Sequence, residues 1–293
     1  MTELSVRDVY DLQLREVSGI CERAAGDGRP RQLLAIGDDS HHLLVGDLEP
    51  EVPEEFARHD LEPLLTGAGV RLGRSSQWEG VDTDETGRVF VLREVPGTVF
   101  VFDPALERLL HVLPLTVEDD PGEQRAWDAD ENALGEGLLL LRNGHLFVVK
   151  EEKPRQLLEF GLPGERAQGL HADLLIADSG HFPTPDEPAA TFHMLSSWDL
   201  GGEALERVGD LSDVTVGPDG RVYLLSDESR CIARLQATVP PESGTVAVDR
   251  VWALPDRLHQ PEGLVITAGW DVLVATDHTE ERENLFLLDG FGP

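Results

Sequence analysis

The sequence predicts an all-β protein built as a closed ring of repeated four-stranded units. Three observations carry this. Apolar, strand-like runs are separated by explicit turns, such as Asp84-Glu85-Thr86-Gly87, Asn143-Gly144 and Pro218-Asp219-Gly220. A short anchor motif recurs six times: a polar residue, usually glycine next, then an aliphatic residue. Each anchor is followed by an acidic residue that closes an apolar strand.

In chain order the anchors are Ser18-Gly19-Ile20, Glu79-Gly80-Val81, Glu136-Gly137-Leu138, Gln168-Gly169-Leu170, Ser212-Asp213-Val214 and Glu262-Gly263-Leu264. The matching corner acids are Asp38, Glu94, Glu151, Asp178, Asp227 and Asp277. Anchor and corner are 15 residues apart in four copies: 79 to 94, 136 to 151, 212 to 227 and 262 to 277. The first copy spans 20 residues, and the stretch AAGDGRPR supplies the excess; the Gln168 copy spans only 10 and reads as shortened. A further strand follows in several units, as in GTVFVFDP from Gly97, RQLLEFG from Arg155, CIARLQ from Cys231 and NLFLLDG from Asn284. Successive anchors lie 61, 57, 32, 44 and 50 residues apart. Units of about 40–50 residues with four short strands are the mark of a β-propeller blade. The expectation is therefore one domain over residues 1–293, a six-bladed β-propeller with four-stranded antiparallel blades. The N-terminal segment Arg7–Leu14 would complete the last blade beside NLFLLDG. Helical periodicity is scarce, and PEEFARHDLEPLL from Pro53 is the one candidate for a short helix. The stretch 114–134 is acidic and reads as a face loop.

Composition limits the function classes. There are 56 acids against 24 bases, a net charge of −32, and Lys150 and Lys153 are the sole lysines. Such a field repels nucleic acid and anionic membrane surfaces and attracts cations. No apolar run approaches the ~20 residues that span a bilayer, and the N-terminus lacks a basic start followed by an apolar stretch. The expected setting is cytoplasmic, with a monomer favoured. Cys21 and Cys231 are too few for a disulfide framework and read as buried apolar side chains.

Residues that begin the innermost strand of each blade form a ring around one mouth of the central channel. That ring is rich in oxygen. Glu79, Glu136 and Glu262, with Asp213 in the glycine position of its copy, would repel one another unless protonated or neutralised. A hard divalent cation resolves this, and calcium accepts such oxygen sets in flexible geometry. The competing reading is architectural: glycine for close backbone packing, glutamate for capping the amides of a neighbouring blade. Among the scattered histidines, His171 lies close to an anchor and His278 follows a corner, so these two and Asp213 are the candidates for proton transfer or water positioning. No nucleophile elbow, phosphate-binding glycine loop or zinc motif is present.

On the motifs VSGI, WEGVDTDETGRVFVL, GEGLLLLRNGHLFVVKEE, LSDVTVGPDGRVYLLSDES and PEGLVITAGWDVLVATD, the chain resembles the SdiA-regulated and phytase-esterase-like group of propellers, over residues 17 to 289. The resemblance implies a six-bladed, calcium-associated propeller with Glu79, Glu136 and Glu262 facing the channel, and supplies no reaction. A more distant likeness is to gluconolactonase-type propellers. Their metal site uses an asparagine and an aspartate; Asp213 stands in the comparable repeat, but no anchor is an asparagine. Two function classes remain. One is a metal-dependent hydrolase of small esters, lactones or phosphate esters. The other is a non-catalytic scaffold that binds a small molecule or a protein at the channel mouth.

Overall fold

A computed structural model of the chain describes residues 2–26, 28–48, 52–53, 55–73, 75–117, 135–151, 154–176, 180–202, 206–279 and 283–292. The strands in chain order are β1 (Thr2–Glu3), β2 (Ser5–Tyr10), β3 (Val17–Arg23), β4 (Gln32–Gly37), β5 (His42–Asp47) and β6 (Ala57–Asp60). A short helix α1 (Glu62–Gly67) follows, then β7 (Trp78–Thr83), β8 (Val89–Arg93), β9 (Thr98–Phe102) and β10 (Leu109–Thr116). Next come β11 (Gly135–Leu140), β12 (Leu146–Lys150), β13 (Gln156–Gly161) and β14 (Phe192–Leu200). The last group is β15 (Asp213–Val216), β16 (Val222–Ser226), β17 (Cys231–Leu235), β18 (Gly244–Val246), β19 (Val248–Ala253), β20 (Pro261–Ile266), β21 (Val272–Thr276) and β22 (Leu285–Asp289).

The described strands form five four-stranded antiparallel units, not six. They are β3-β4-β5-β6, β7-β8-β9-β10, β11-β12-β13-β14, β15-β16-β17-β19 and β20-β21-β22-β2. The first strands pack on one another in a closed circuit: β3 on β7, β7 on β11, β11 on β15, β15 on β20 and β20 back on β3. The second and third units are also joined at their outer edges, where β10 and β14 pair in parallel. The missing unit is the one predicted at Gln168. Gln168 heads no strand; its segment is an insertion between β13 and β14, and Asp178 lies outside the described residues. Among the described residues, no inner hairpin follows Gln168. The predicted face loop lies outside the described residues from 118 onward, and residues 114–116 complete β10.

Ring closure by the N-terminus is observed. β2 pairs antiparallel with β22, Ser5 opposite Asp289 and Tyr10 opposite Leu285, while β1 pairs in parallel with β19 of the preceding unit. The segment thus ties two units together and covers both edges, which would otherwise invite pairing with another chain. Cores form between units: Phe90, Leu138, Val148 and Phe160 pack together at one such junction, and Tyr223, Trp252, Leu264 and Phe286 at another. Both cysteines are free and buried.

Candidate functional site

The anchor motif has a local structural cause. In four units the register of the inner hairpin shifts across the anchor: Val17/Gly19, Trp78/Gly80, Gly135/Gly137 and Pro261/Gly263. Ser18, Glu79, Glu136 and Glu262 are therefore the extra residues of β-bulges, unpaired in the ladder and turned out of its plane. The glycine that follows lets the inner strands close up. A Cβ at Gly137 would lie 2.8 Å from the Val214 amide nitrogen, and one at Gly19 would lie 2.9 Å from the Glu79 carbonyl oxygen. In the Glu79, Glu136 and Glu262 copies the 15-residue spacing is the length of this bulged hairpin, with anchor and corner brought to the same end; the Ser212 copy keeps the spacing with no register shift in its ladder.

Polar side chains link neighbouring units around the ring. The Ser18 hydroxyl donates to the Trp78 carbonyl, and the Ser212 hydroxyl donates to the Pro261 carbonyl at 2.8 Å. The Asp82 carboxylate accepts the Leu140 N–H at 3.0 Å and the Thr83 N–H at 2.7 Å. Asp213 accepts the N–H groups of Val214 and Leu264, both at 2.7 Å. These serines and aspartates fill the architectural role that sequence considered for the anchors.

The three anchor glutamates do something else. They converge with the corners Asp38, Glu94, Glu151 and Asp277, and with Glu16, on a cavity of about 400 Å3 at the anchor end of the ring. Ser18, Ser75 and Gln77 complete its polar wall, and no described lysine, arginine or histidine lines it. Burial pushes Glu79, Glu136 and Glu262 well above the ordinary carboxylate range, and neighbouring carboxylates add to the rise: Glu136 and Glu94 on Glu79, Glu94 and Glu262 on Glu136, Asp227 on Glu262. Asp38 is pushed up to about 7 by burial, by a hydrogen bond shared with Glu16 and by the Glu16 and Asp277 charges. Asp277 is raised too, by burial and Glu16, and the nearby His278 partly offsets this.

The sequence candidates divide accordingly. Glu79, Glu136 and Glu262 meet at the mouth, and His278 stands beside it at partial exposure. Asp213 does not line the mouth, because both its oxygens serve backbone amides between units. His171 is at the opposite end: its neighbour Ala172 lies over the Gly220 turn, and its ring is exposed, 3.9 Å from Asp173. Sequence reasoning missed Glu16 and Gln77. They precede their anchors by two positions and share a left-handed backbone with Gln260, at φ 48°, 53° and 49°. Their carbonyls accept the corner N–H groups, Asp38 to Glu16 at 3.0 Å, Glu94 to Gln77 at 2.9 Å and Asp277 to Gln260 at 2.8 Å. The repeated polar residue at this position (Glu16, Gln77, Asp210, Gln260) was the available signal.

Whether the mouth suits a hard cation is answered by its donors. Every polar side chain in the lining offers oxygen. Oδ1 of Asp38 and Oδ1 of Asp277 are buried without a hydrogen-bond partner, as befits acceptors facing a positive charge. Among the described residues, no three His, Cys, Asp or Glu side chains are gathered closely enough to hold a metal ion as they stand. The residues fit a hydrated ion in a roomy cup better than a closed, dehydrated sphere.

The chain is similar in fold to the PQQ-bound aldose sugar dehydrogenase of Streptomyces coelicolor, at 9% identity and a TM-score of 0.50, covering 98% of this chain and 97% of that one. It is similar also to a Thermus thermophilus protein described as an oxidoreductase (glucose dehydrogenase), at 12% identity and a TM-score of 0.50, covering 97% and 99%. A streptogramin B lyase structure aligns at 11% identity and a TM-score of 0.47, over 98% of this chain and 96% of that one. At such identities the likeness concerns the fold alone. No curated protein sequence matches the chain. Residues 127–270 match the family described as SdiA-regulated, a β-propeller family and one of those that the motifs resemble.

Proposed function

We propose that the protein is a cation-binding propeller whose anchor mouth holds a hard divalent ion, calcium before magnesium, among Glu79, Glu136 and Glu262. One observation carries this: eight carboxylates from four of the five units line one cavity with no described cationic side chain among them. Left uncompensated, such a cluster must take up protons, and the upward shifts of Glu79, Glu136 and Glu262 express that cost. A divalent ion removes it. Calcium suits the site because it accepts six to eight oxygens, waters included, without rigid geometry.

Bound there, the ion would polarise the carbonyl or phosphoryl oxygen of a small ester, lactone or phosphate ester. Asp38, at about 7, is the residue able to hold or release a proton near neutral pH. His278 at the rim is a second candidate, and its partial exposure leaves it open to a ligand. Asp213 and His171 have no part in this arrangement. The second reading keeps the ion and drops the chemistry: a scaffold that binds a small molecule at the mouth. The lack of an imidazole in the described lining favours it. Both take the protein as a cytoplasmic monomer that meets a small molecule, and neither involves nucleic acid. No described helix is long and apolar enough to cross a membrane.

The test is metal content of the purified protein, followed by a panel of lactones, aryl esters and phosphate esters assayed with calcium and with chelator. Hydrolysis that chelator and Glu79→Gln both abolish supports the enzyme. A tightly held ion with no hydrolysis supports the scaffold. Hydrolysis indifferent to chelator and to Glu79→Gln removes the ion from the mechanism.

A further inference from the structure

The ring has two ends, and the mouth cavity occupies one. At the other end the inner strands border a smaller cavity of about 60 Å3, lined by Ile20, Cys21, Val81, Val214 and Val265 among others. One lining residue comes from outside the ring: Ile176, at 4% exposure. It belongs to the insertion between β13 and β14.

The described residues of that insertion, 162–176 and 180–191, are fastened to three units at this end of the ring. Leu170 exchanges backbone hydrogen bonds with Val239 of the fourth unit at 3.0 and 2.8 Å. Leu175 bridges to Leu141 of the third unit, where the Arg142 N–H also donates to the Leu174 carbonyl at 2.8 Å. The Glu85 N–H of the second unit donates to the Gly180 carbonyl at 2.9 Å. Two buried carboxylates pin the crossing. Glu159, fully buried, accepts the N–H groups of Gln168 and Gly169, each at 2.9 Å, and also meets Nδ1 of His145 at 2.5 Å. Asp84 takes the Phe182 N–H at 3.3 Å and the Arg88 guanidinium at 2.5 Å. A surface loop tethered only at its ends would need none of these contacts. Gly169, Leu170, Leu175, Ile176, Gly180 and Phe182 are buried, and hydrogen-bonded backbone at buried positions opens rarely.

We infer that the described residues 168–176 of this insertion are a fixed stopper for the channel, with Ile176 as its bolt, so that a ligand entering the acidic mouth must leave by it. The inference goes beyond the proposed function and holds with or without a bound ion. It limits ligands to small molecules that fit a cup, and excludes a polymer threaded through the ring.

Cys21 lines the stoppered cavity at 6% exposure, and Cys231, fully buried elsewhere, serves as the internal control. In the wild-type chain, labelling of Cys21 by methyl methanethiosulfonate is expected to be at least about 100-fold slower than in the urea-unfolded chain. Ile176→Ala should speed Cys21 labelling about tenfold or more while Cys231 stays protected. Wild-type labelling at the unfolded rate, or an unchanged rate in the folded variant, overturns the stopper. If Cys231 also becomes reactive, the variant has lost its fold, and hydrogen exchange on the wild-type chain decides. The amides of Gln168, Gly169 and Leu170 should then exchange as slowly as those of the blade strands. Exchange within seconds would make the segment a loose flap and end the proposal.

Discussion

Replacing Gly137 by alanine tests how tightly the ring is drawn. The added Cβ would sit 2.8 Å from the Val214 amide nitrogen and 2.9 Å from Cγ2 of Val149 and Cγ1 of Val214. Ordinary contact begins near 3.4 Å, so the shortfall against fixed backbone is 3.4 − 2.8, or 0.6 Å. The third and fourth units must part, because a backbone amide cannot rotate away as a flexible side chain can. Overpacking of this kind costs about 1–3 kcal/mol. The reduced freedom of the unfolded chain returns roughly 0.4–1 kcal/mol. The expected net loss is about 1–2 kcal/mol, or roughly 2–6 °C in Tm for a chain of this size. Gly67→Ala is the control: no atom lies within 4 Å of its added Cβ, and it ends a helix. Its Tm should be unchanged or slightly raised. Thermal and urea melts of the two variants beside wild type give the comparison. A Gly137→Ala protein as stable as wild type would refute the close-packed ring.

Two further outcomes follow from the fold and the mouth. Removing residues 1–10 strips β1 and β2 and bares the edges of β19 and β22, so Tm should fall and the chain should self-associate; an unchanged melt and a monomeric elution profile would contradict closure by the N-terminus. With chelator present, stability should rise on acidification from about pH 8 to about pH 5. Asp38 has its folded pKa raised to about 7, and Glu79, Glu136 and Glu262 are raised as well, so their contribution is complete below the ordinary carboxylate range and is lost as pH climbs through about 7. Below about pH 4 the trend should reverse. There Asp103, whose burial is outweighed by the N–H groups and guanidinium of Arg108 and the N–H of Glu107, loses its stabilising charge. Melts across this range in chelator that show no gain on acidification would count against a strained carboxylate cluster.

Much of this was legible in the sequence because bulges and turns leave marks at fixed spacing. The Glu79, Glu136 and Glu262 convergence, the inner hairpins and the N-terminal closure all follow from a period of 15 residues and an unpaired terminal strand. The sixth unit was misread because Gln168-Gly169-Leu170 copies the anchor chemistry for another reason. Gly169 sits at φ 68°, with a Cβ position only 2.1 Å from the Val239 carbonyl oxygen, so the glycine serves the crossing of the insertion. Asp213 was misjudged because sequence shows a carboxylate and its place in the ring, but not which amides reach it first. His171 illustrates the same limit: proximity to an anchor in sequence means the mouth only if the anchor begins an inner strand.

Calcium titration of metal-free protein, followed by calorimetry and by Tm, bears most directly on the acidic mouth. Binding to the folded chain alone should stabilise it by about 2.7 kcal/mol at a calcium concentration roughly 100 times Kd, with Tm climbing as calcium is raised. The triple change of Glu79, Glu136 and Glu262 to glutamine should abolish both the heat and the rise while the chelator-treated protein stays folded. A wild-type chain that binds no calcium or magnesium, and whose Tm is the same with either ion as with chelator, would show that the carboxylates of the mouth are satisfied by protons alone.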